Sequence, residues 1–151
     1  MMYNFFKKIS IIDRVMSLFK KPLVHHGNHV FGDFIWNSNI EKINDKVLAD
    51  FIFQKMKESV KLTNMTIVHS KLCILGEGTS PPGFTSIVLI DESHISSHCY
   101  SDRGWLAIDV FTCGHTDPQK LMNYITNEIK KEYPTFKCTY VKKHHRFHHL
   151  K

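Results

Sequence analysis

No stretch of the 151-residue sequence stays apolar for long enough to span a bilayer. The first twenty residues are apolar only in patches, and Asp13 and Arg14 interrupt what would have to be a signal-peptide core. A secreted or membrane-spanning chain is therefore not expected; a cytoplasmic one is. Cysteine is scarce. Cys73, Cys99, Cys113 and Cys138 offer no Cys-x-x-Cys pair and no zinc-like spacing, so reduced thiols are the simplest account. There is no internal repeat and no recognised nucleic-acid module. The formal charge of +6 would suit an anionic partner, but the excess sits at the two ends. Lys7, Lys8, Lys20 and Lys21 lie near the start, and Lys142, Lys143, Arg146 and Lys151 near the finish. Basic ends on a balanced body read as solvated termini, so neither nucleic acid nor membrane is expected as a partner. The run His144-His-Arg-Phe-His-His149 could offer imidazoles to a transition metal, yet nothing fixes a geometry there and no functional metal is expected.

The length suits one domain with a proper core, and a 42% hydrophobic, 23% charged composition is ordinary for a globular protein. Residues 3–21 carry Phe5, Ile9, Ile12, Met16 and Phe19 at helical spacing before Pro22 stops the pattern. Such a stripe suits a membrane-surface anchor or a helix packed on its own domain or a partner subunit, and the second reading is favoured. Residues 1–26 are thus expected to form an amphipathic extension, and 27–151 the main domain. Within it, 28–36 has strand character. Residues 40–61 form a helix with Ile43, Val47, Phe51, Ile52, Met56 and Val60 inside. Residues 65–73 read as a strand, 76–83 as a turn-rich loop, and 84–91 as a strand apolar enough to be buried on both faces. Strands over 94–100 and 105–112 follow. Asp117-Pro118 opens a second helix with Leu121, Ile125 and Ile129 inside, ended by Pro134, before a last strand over 136–141. Strands mixed with two main helices argue for an α+β two-layer sandwich on a largely antiparallel sheet.

The chemistry gathers in Glu92-Ser-His-Ile-Ser-Ser-His98 and Asp109-Val-Phe-Thr-Cys-Gly114. These runs place a serine, a histidine and a cysteine near strand ends, where an imidazole can relay protons and a thiol can donate or attack. Taken alone, the residues equally allow a cysteine hydrolase using Cys113 and His98, or plain core packing of all three.

The two runs, with their separation, resemble the bacterial-type S-adenosylmethionine decarboxylase proenzyme family. The likeness extends over about Gly27–Val141, through Gly27-Asn-His29, the Pro81-x-Gly83 loop and Gly104-x-x-Ala-x-Asp109. It implies a chain that cuts itself between Glu92 and Ser93 and converts Ser93 into a pyruvoyl cofactor. Decarboxylating an amino acid leaves a carbanion that no ordinary side chain can delocalise, and a ketone condensed with the substrate amine supplies the electron sink. By resemblance, His98 accepts the proton during cleavage, Thr85 hydrogen-bonds the rearranging carbonyl where the family usually has serine, and Cys113 reprotonates the substrate carbon. S-adenosylmethionine is the implied substrate, polyamine (spermidine) synthesis the implied role, and a homodimer of cleaved protomers the implied assembly.

Substrate recognition departs from the family pattern. An aromatic usual before Pro81 falls near Thr79, in a loop with no aromatic, and the family's Trp-Pro-Glu becomes Tyr100-Ser-Asp102. Tyr100 can still stack, Asp102 can still accept from ribose hydroxyls, and Ile95 keeps an apolar wall. Phe84 or an N-terminal aromatic would have to replace the missing platform. A pyruvoyl-dependent ornithine or arginine decarboxylase, with Asp102 or Glu77 on the distal cation, stands as an alternative, and an inactive regulatory paralogue as a second.

Overall fold

The computed structural model describes residues 23–150 apart from 77 and 79. The expected N-terminal helix over 3–21 therefore lies outside the described residues, as do Glu77 and Thr79. The elements run β1 (Leu23–Val24), β2 (Gly27–Ile35), α1 (Asp45–Val60), β3 (Ile67–Leu75), β4 (Gly83–Ile90), β5 (Ser93–Tyr100), β6 (Trp105–Cys113), α2 (Pro118–Glu132), β7 (Lys137–Arg146) and β8 (His149–Leu150). Six strands form one antiparallel sheet in the order β3-β4-β5-β6-β2-β7, and β1 pairs with β8 in a separate two-stranded ribbon. Both helices cover one face of the large sheet, which is the α+β sandwich expected from the sequence.

Alternation decides which residues meet the helices. Val30 and Phe34 of β2, Phe84, Val88 and Ile90 of β4, Ile95 and Cys99 of β5, and Leu106, Ile108 and Val110 of β6 are buried there. They pack against Leu48, Ile52 and Met56 of α1 and Leu121, Met122, Ile125 and Ile129 of α2. Helix α1 begins at Asp45 rather than residue 40, because the Asn44 side chain accepts from the Lys46 and Val47 amides and caps it. That phase leaves Val47 exposed and puts Leu48 and Ala49 inside instead. Asp117 caps α2 with proline at its first turn, as expected.

Two expectations are corrected. The apolar strand β4 is not buried on both faces: Thr85 and Ile87 are half-buried and Leu89 is exposed on the side no helix covers. Nor is the basic C-terminus a solvated tail. β7 runs on to Arg146 as an edge strand along β2, with every residue from Thr139 onward exposed. Edge strands rich in Lys and Arg resist pairing with other chains, so a charged run is compatible with a ladder. The β1–β8 pairing also ties residues 23–26 to the main domain, across the boundary expected at residue 26. Gly83 shows why the Pro81-x-Gly83 loop needs its glycine: φ is 145° and a Cβ there would lie 2.0 Å from the Cys99 carbonyl oxygen.

Candidate active site

β4 and β5 form a hairpin in which Ile90 faces Ser93, leaving only Asp91 and Glu92 in the turn. Glu92 has φ of 60°, the left-handed region that costs a non-glycine residue roughly 1–2 kcal/mol. The Glu92–Ser93 peptide bond therefore follows a strained, exposed residue, whereas Ser93 is 9% exposed. The Ser93 Oγ accepts a hydrogen bond from the Cys113 amide at 3.2 Å. Cys113 ends β6, where the Thr112 hydroxyl donates to the Thr116 carbonyl at 2.7 Å and the Gly114 amide donates to the His26 carbonyl at 2.9 Å. These contacts hold the strand end in place. Burial pushes the Cys113 thiol above its ordinary value, helped by the charge of Glu92. A thiol so placed stays protonated at neutral pH and can donate.

Thr85 and His98 face one another across β4 and β5. Thr85 Oγ1 lies 3.3 Å from the Ser97 carbonyl and 2.9 Å from His98 Nδ1. When the hydroxyl proton is given to the Ser97 carbonyl, which only accepts, Nδ1 donates to Thr85 and Nε2 is left open to accept a proton. The pair sits in a groove of about 410 Å³ shared with Lys71, Cys73, His94 and Ser96.

The structure thus forms two half-sites. Ser93 and Cys113 meet at one end of the sheet; Thr85 and His98 meet on its uncovered face. His98 lies five positions beyond Ser93 along β5, about 16 Å at ~3.3 Å per residue, and odd spacing sends their side chains to opposite faces. One chain does not bring the four together.

Tyr100 projects on the uncovered face, where His98, Tyr100, Trp105, Asp33 and Ile35 share a cavity of about 360 Å³. Trp105 is the residue opposite Tyr100 and is half exposed. It sets a second aromatic side chain beside Tyr100 that sequence reasoning missed, and β-alternation from Leu106 would have found it. Phe84 cannot serve, being 1% exposed in the core. Ile95, expected as an apolar wall, likewise has no exposed surface and packs beneath the sheet. Asp102 lies in the β5–β6 turn and lines a different cavity with Ser38, Lys42 and Pro82. Sequence reasoning also missed His29 and Asp109 as a pair: β2 and β6 bring them to 3.0 Å. Beside them a cavity of about 160 Å³ is lined by His29, His94, Phe111, Arg146 and Phe147. Burial holds His94 below the usual histidine value, with His29 and Arg146 adding to the effect and Asp109 opposing it.

A crystal structure of the adenosylmethionine decarboxylase from Aquifex aeolicus is similar over 81% of this chain and 89% of that one, with a TM-score of 0.58 and 24% identity. The two share an α+β sandwich fold, and the class is that of the adenosylmethionine decarboxylase fold. Residues 28–142 match the S-adenosylmethionine decarboxylase family. The S-adenosylmethionine decarboxylase proenzyme of Brevibacillus brevis is 36% identical over 118 residues, covering 78% of this chain and 79% of its own length. The proenzyme of that name from Sulfurisphaera tokodaii is 34% identical over 107 residues, covering 69% and 79%. The chain belongs to the S-adenosylmethionine decarboxylase family, a family of carboxy-lyases. Among the described residues no helix is long and apolar enough to cross a membrane, and no cluster of three or more His, Cys, Asp or Glu is arranged to hold a metal.

Proposed function

We propose that this chain cuts itself between Glu92 and Ser93 and then decarboxylates S-adenosylmethionine, its product serving as aminopropyl donor in polyamine synthesis. The observation that carries the reading is that one strand end gathers a strained Glu92, a Ser93 hydroxyl that accepts from the Cys113 amide, and a Cys113 thiol close enough to feel the Glu92 charge. In the first step the Ser93 Oγ bonds to the Glu92 carbonyl carbon while the peptide C–N bond breaks, giving an ester and a free amine on Ser93. His98 Nε2 then accepts the Ser93 α-proton as the ester C–O bond breaks, and Glu92 leaves as a carboxylate. Hydration of the remaining enamine, through its imine tautomer, expels ammonia and leaves a ketone. The residues at this end suit a pyruvoyl at Ser93, since Glu92 is already exposed and the Cys113 amide already points at Oγ. When present, such a group draws electrons from the substrate α-carbon as carbon dioxide departs. Cys113 then delivers a proton to that carbon, and Tyr100 with Trp105 offers aromatic faces for adenine.

Two half-sites on one chain favour a homodimer. Phe31, Ile35, Ile87, Leu89, Tyr100 and Trp105 make the uncovered face apolar. An isologous dimer, the arrangement of most homo-oligomers, would bring the Thr85–His98 pair of one copy to the strand end of the other that carries Ser93 and Cys113. Denaturing electrophoresis with mass spectrometry tests the cleavage. Purified protein is expected as two fragments, Met1–Glu92 and Ser93–Lys151, the second bearing a carbonyl that borohydride reduces and yielding decarboxylated S-adenosylmethionine on incubation. Ser93→Ala is expected as one intact chain. A wild-type chain that stays whole would sink the reading.

A further inference from the structure

Five of the 11 histidines meet where the two ends of the described chain pair, outside the half-sites. His25 and His145 have ring centroids 3.8 Å apart, His26 and His149 stack at 4.7 Å, and His148 stands 6.4 Å from His25. Each contact joins the N-terminal segment to the C-terminal one. Three of the rings are anchored by a donating nitrogen. His145 Nδ1 reaches the Asn28 side-chain oxygen at 2.9 Å, His148 Nε2 the His145 carbonyl at 3.0 Å, and His149 Nδ1 the Phe147 carbonyl at 3.2 Å. The second nitrogen of each is therefore the one that would take a proton.

We propose that the histidines of the β1–β8 ribbon form a proton-operated clasp, closed while the rings are neutral and opened when they become charged. Histidine gains its charge between about pH 5 and 8, and stacked imidazolium rings repel one another even through water. Among the described residues, no acidic group figures in the causes that shift His25. The groups that face it are His26 from its own segment, His145 and Lys143 from β7, and His148 from the turn beyond. Asp117 pairs with Lys143 at 2.8 Å, and Arg146 lies over the Phe111 ring. Desolvation by the neighbouring rings comes first in pushing the exposed His25 below its ordinary value of 6.5, followed by the charges of His145, His148, His26 and Lys143. With the folded value depressed, the stabilisation from His25 is fully present above pH 6.5 and is lost as pH falls through the lower folded value.

The clasp holds more than itself. It positions Phe147, which meets Phe111 edge-on at 5.7 Å over the cavity of His29, His94 and Arg146. It also positions the His26 carbonyl that receives the Gly114 amide, next to Cys113. Opening would loosen the strand end that carries the thiol, a coupling that rests on the reading of Cys113 above, although the clasp itself does not.

Amide hydrogen exchange on the whole protein, in chelator and corrected for intrinsic exchange rates, tests this without any need for catalysis. Between pH 7.5 and 5.5, protection over residues 23–26 and 145–150 is expected to fall severalfold while β4 and β5 keep theirs. His25→Phe with His145→Phe keeps a ring contact and removes two proton sites, so most of that fall should vanish. A second pair, His25→Gln with His145→Gln, should flatten the pH response even if the ribbon is looser at both values. Equal wild-type protection at the two pH values would overturn the clasp, as would an undiminished fall in both variants.

Discussion

Glu92 occupies backbone that glycine would hold at almost no cost. If cleavage releases that strain, Glu92→Gly should stabilise the uncut chain and slow its self-cutting. Strain of about 1 kcal/mol corresponds to about fivefold in rate, readable from band intensities over time. The task proposed for Cys113 is a different one. Cys113→Ser should still give two fragments, because Ser93 and His98 remain, but kcat for decarboxylation should fall by about 10²–10⁴-fold. Because the thiol titrates above its ordinary value of 9.0, the alkaline limb of the wild-type kcat profile should lie above pH 9 and be missing from the variant. Ser93, His98 and Cys113 were legible as a set because their order and spacing carry the family likeness. The Thr85–His98 contact at 2.9 Å was not, since it depends on strand register thirteen residues apart. The burial of Ile95 was hidden in a similar way: its parity along β5, rather than its chemistry, sends it into the core.

The elements themselves were easier to read. Apolar periodicity and the Asp117 cap located every strand of the large sheet and both described helices, although the cap at Asn44 went unread. What failed was the outer limit of β7, because an edge strand exposed along its length has no apolar period to betray it. The two helices are joined by a polar link that the sequence also hid. Glu58 of α1 accepts from Lys55 at 2.8 Å, from Gln54 at 3.2 Å and from the Tyr124 hydroxyl of α2 at 2.9 Å. The Lys55 contact leads in holding its carboxyl down to about 2, with Gln54 and Tyr124 adding to it. A depressed carboxylate stabilises the fold above its unfolded value of 4.5, and that contribution is lost as pH falls through about 2. Glu58→Gln should therefore be less stable than wild type at pH 7 and should lack the wild-type decline between pH 4.5 and 2. Urea midpoints across that range measure both effects.

At the scale of the whole molecule, the uncovered sheet face decides how complete a site one chain can be. A chain carrying Ser93→Ala and another carrying His98→Ala should each stay uncut alone. Expressed together under separate tags, the pair should form mixed dimers in which the His98→Ala chain is cut by the histidine of its neighbour. A His98→Ala chain that remains whole in the mixture would mean that both half-sites act within one copy. Fold class and candidate chemistry could be read from one line of residues, but the separation of Ser93 from His98 could not, because it concerns which side of a sheet a residue leaves by.

The strand order β3-β4-β5-β6-β2-β7 has a last consequence. A cut after Glu92 would give one product β1 to β4 and the other β5 to β8, yet β2 lies sandwiched between β6 and β7. The shorter product would grip a strand of the longer one on both edges, like interlaced fingers. Severing the chain would then free the new terminus without freeing either piece, and separating them would require unravelling the fold.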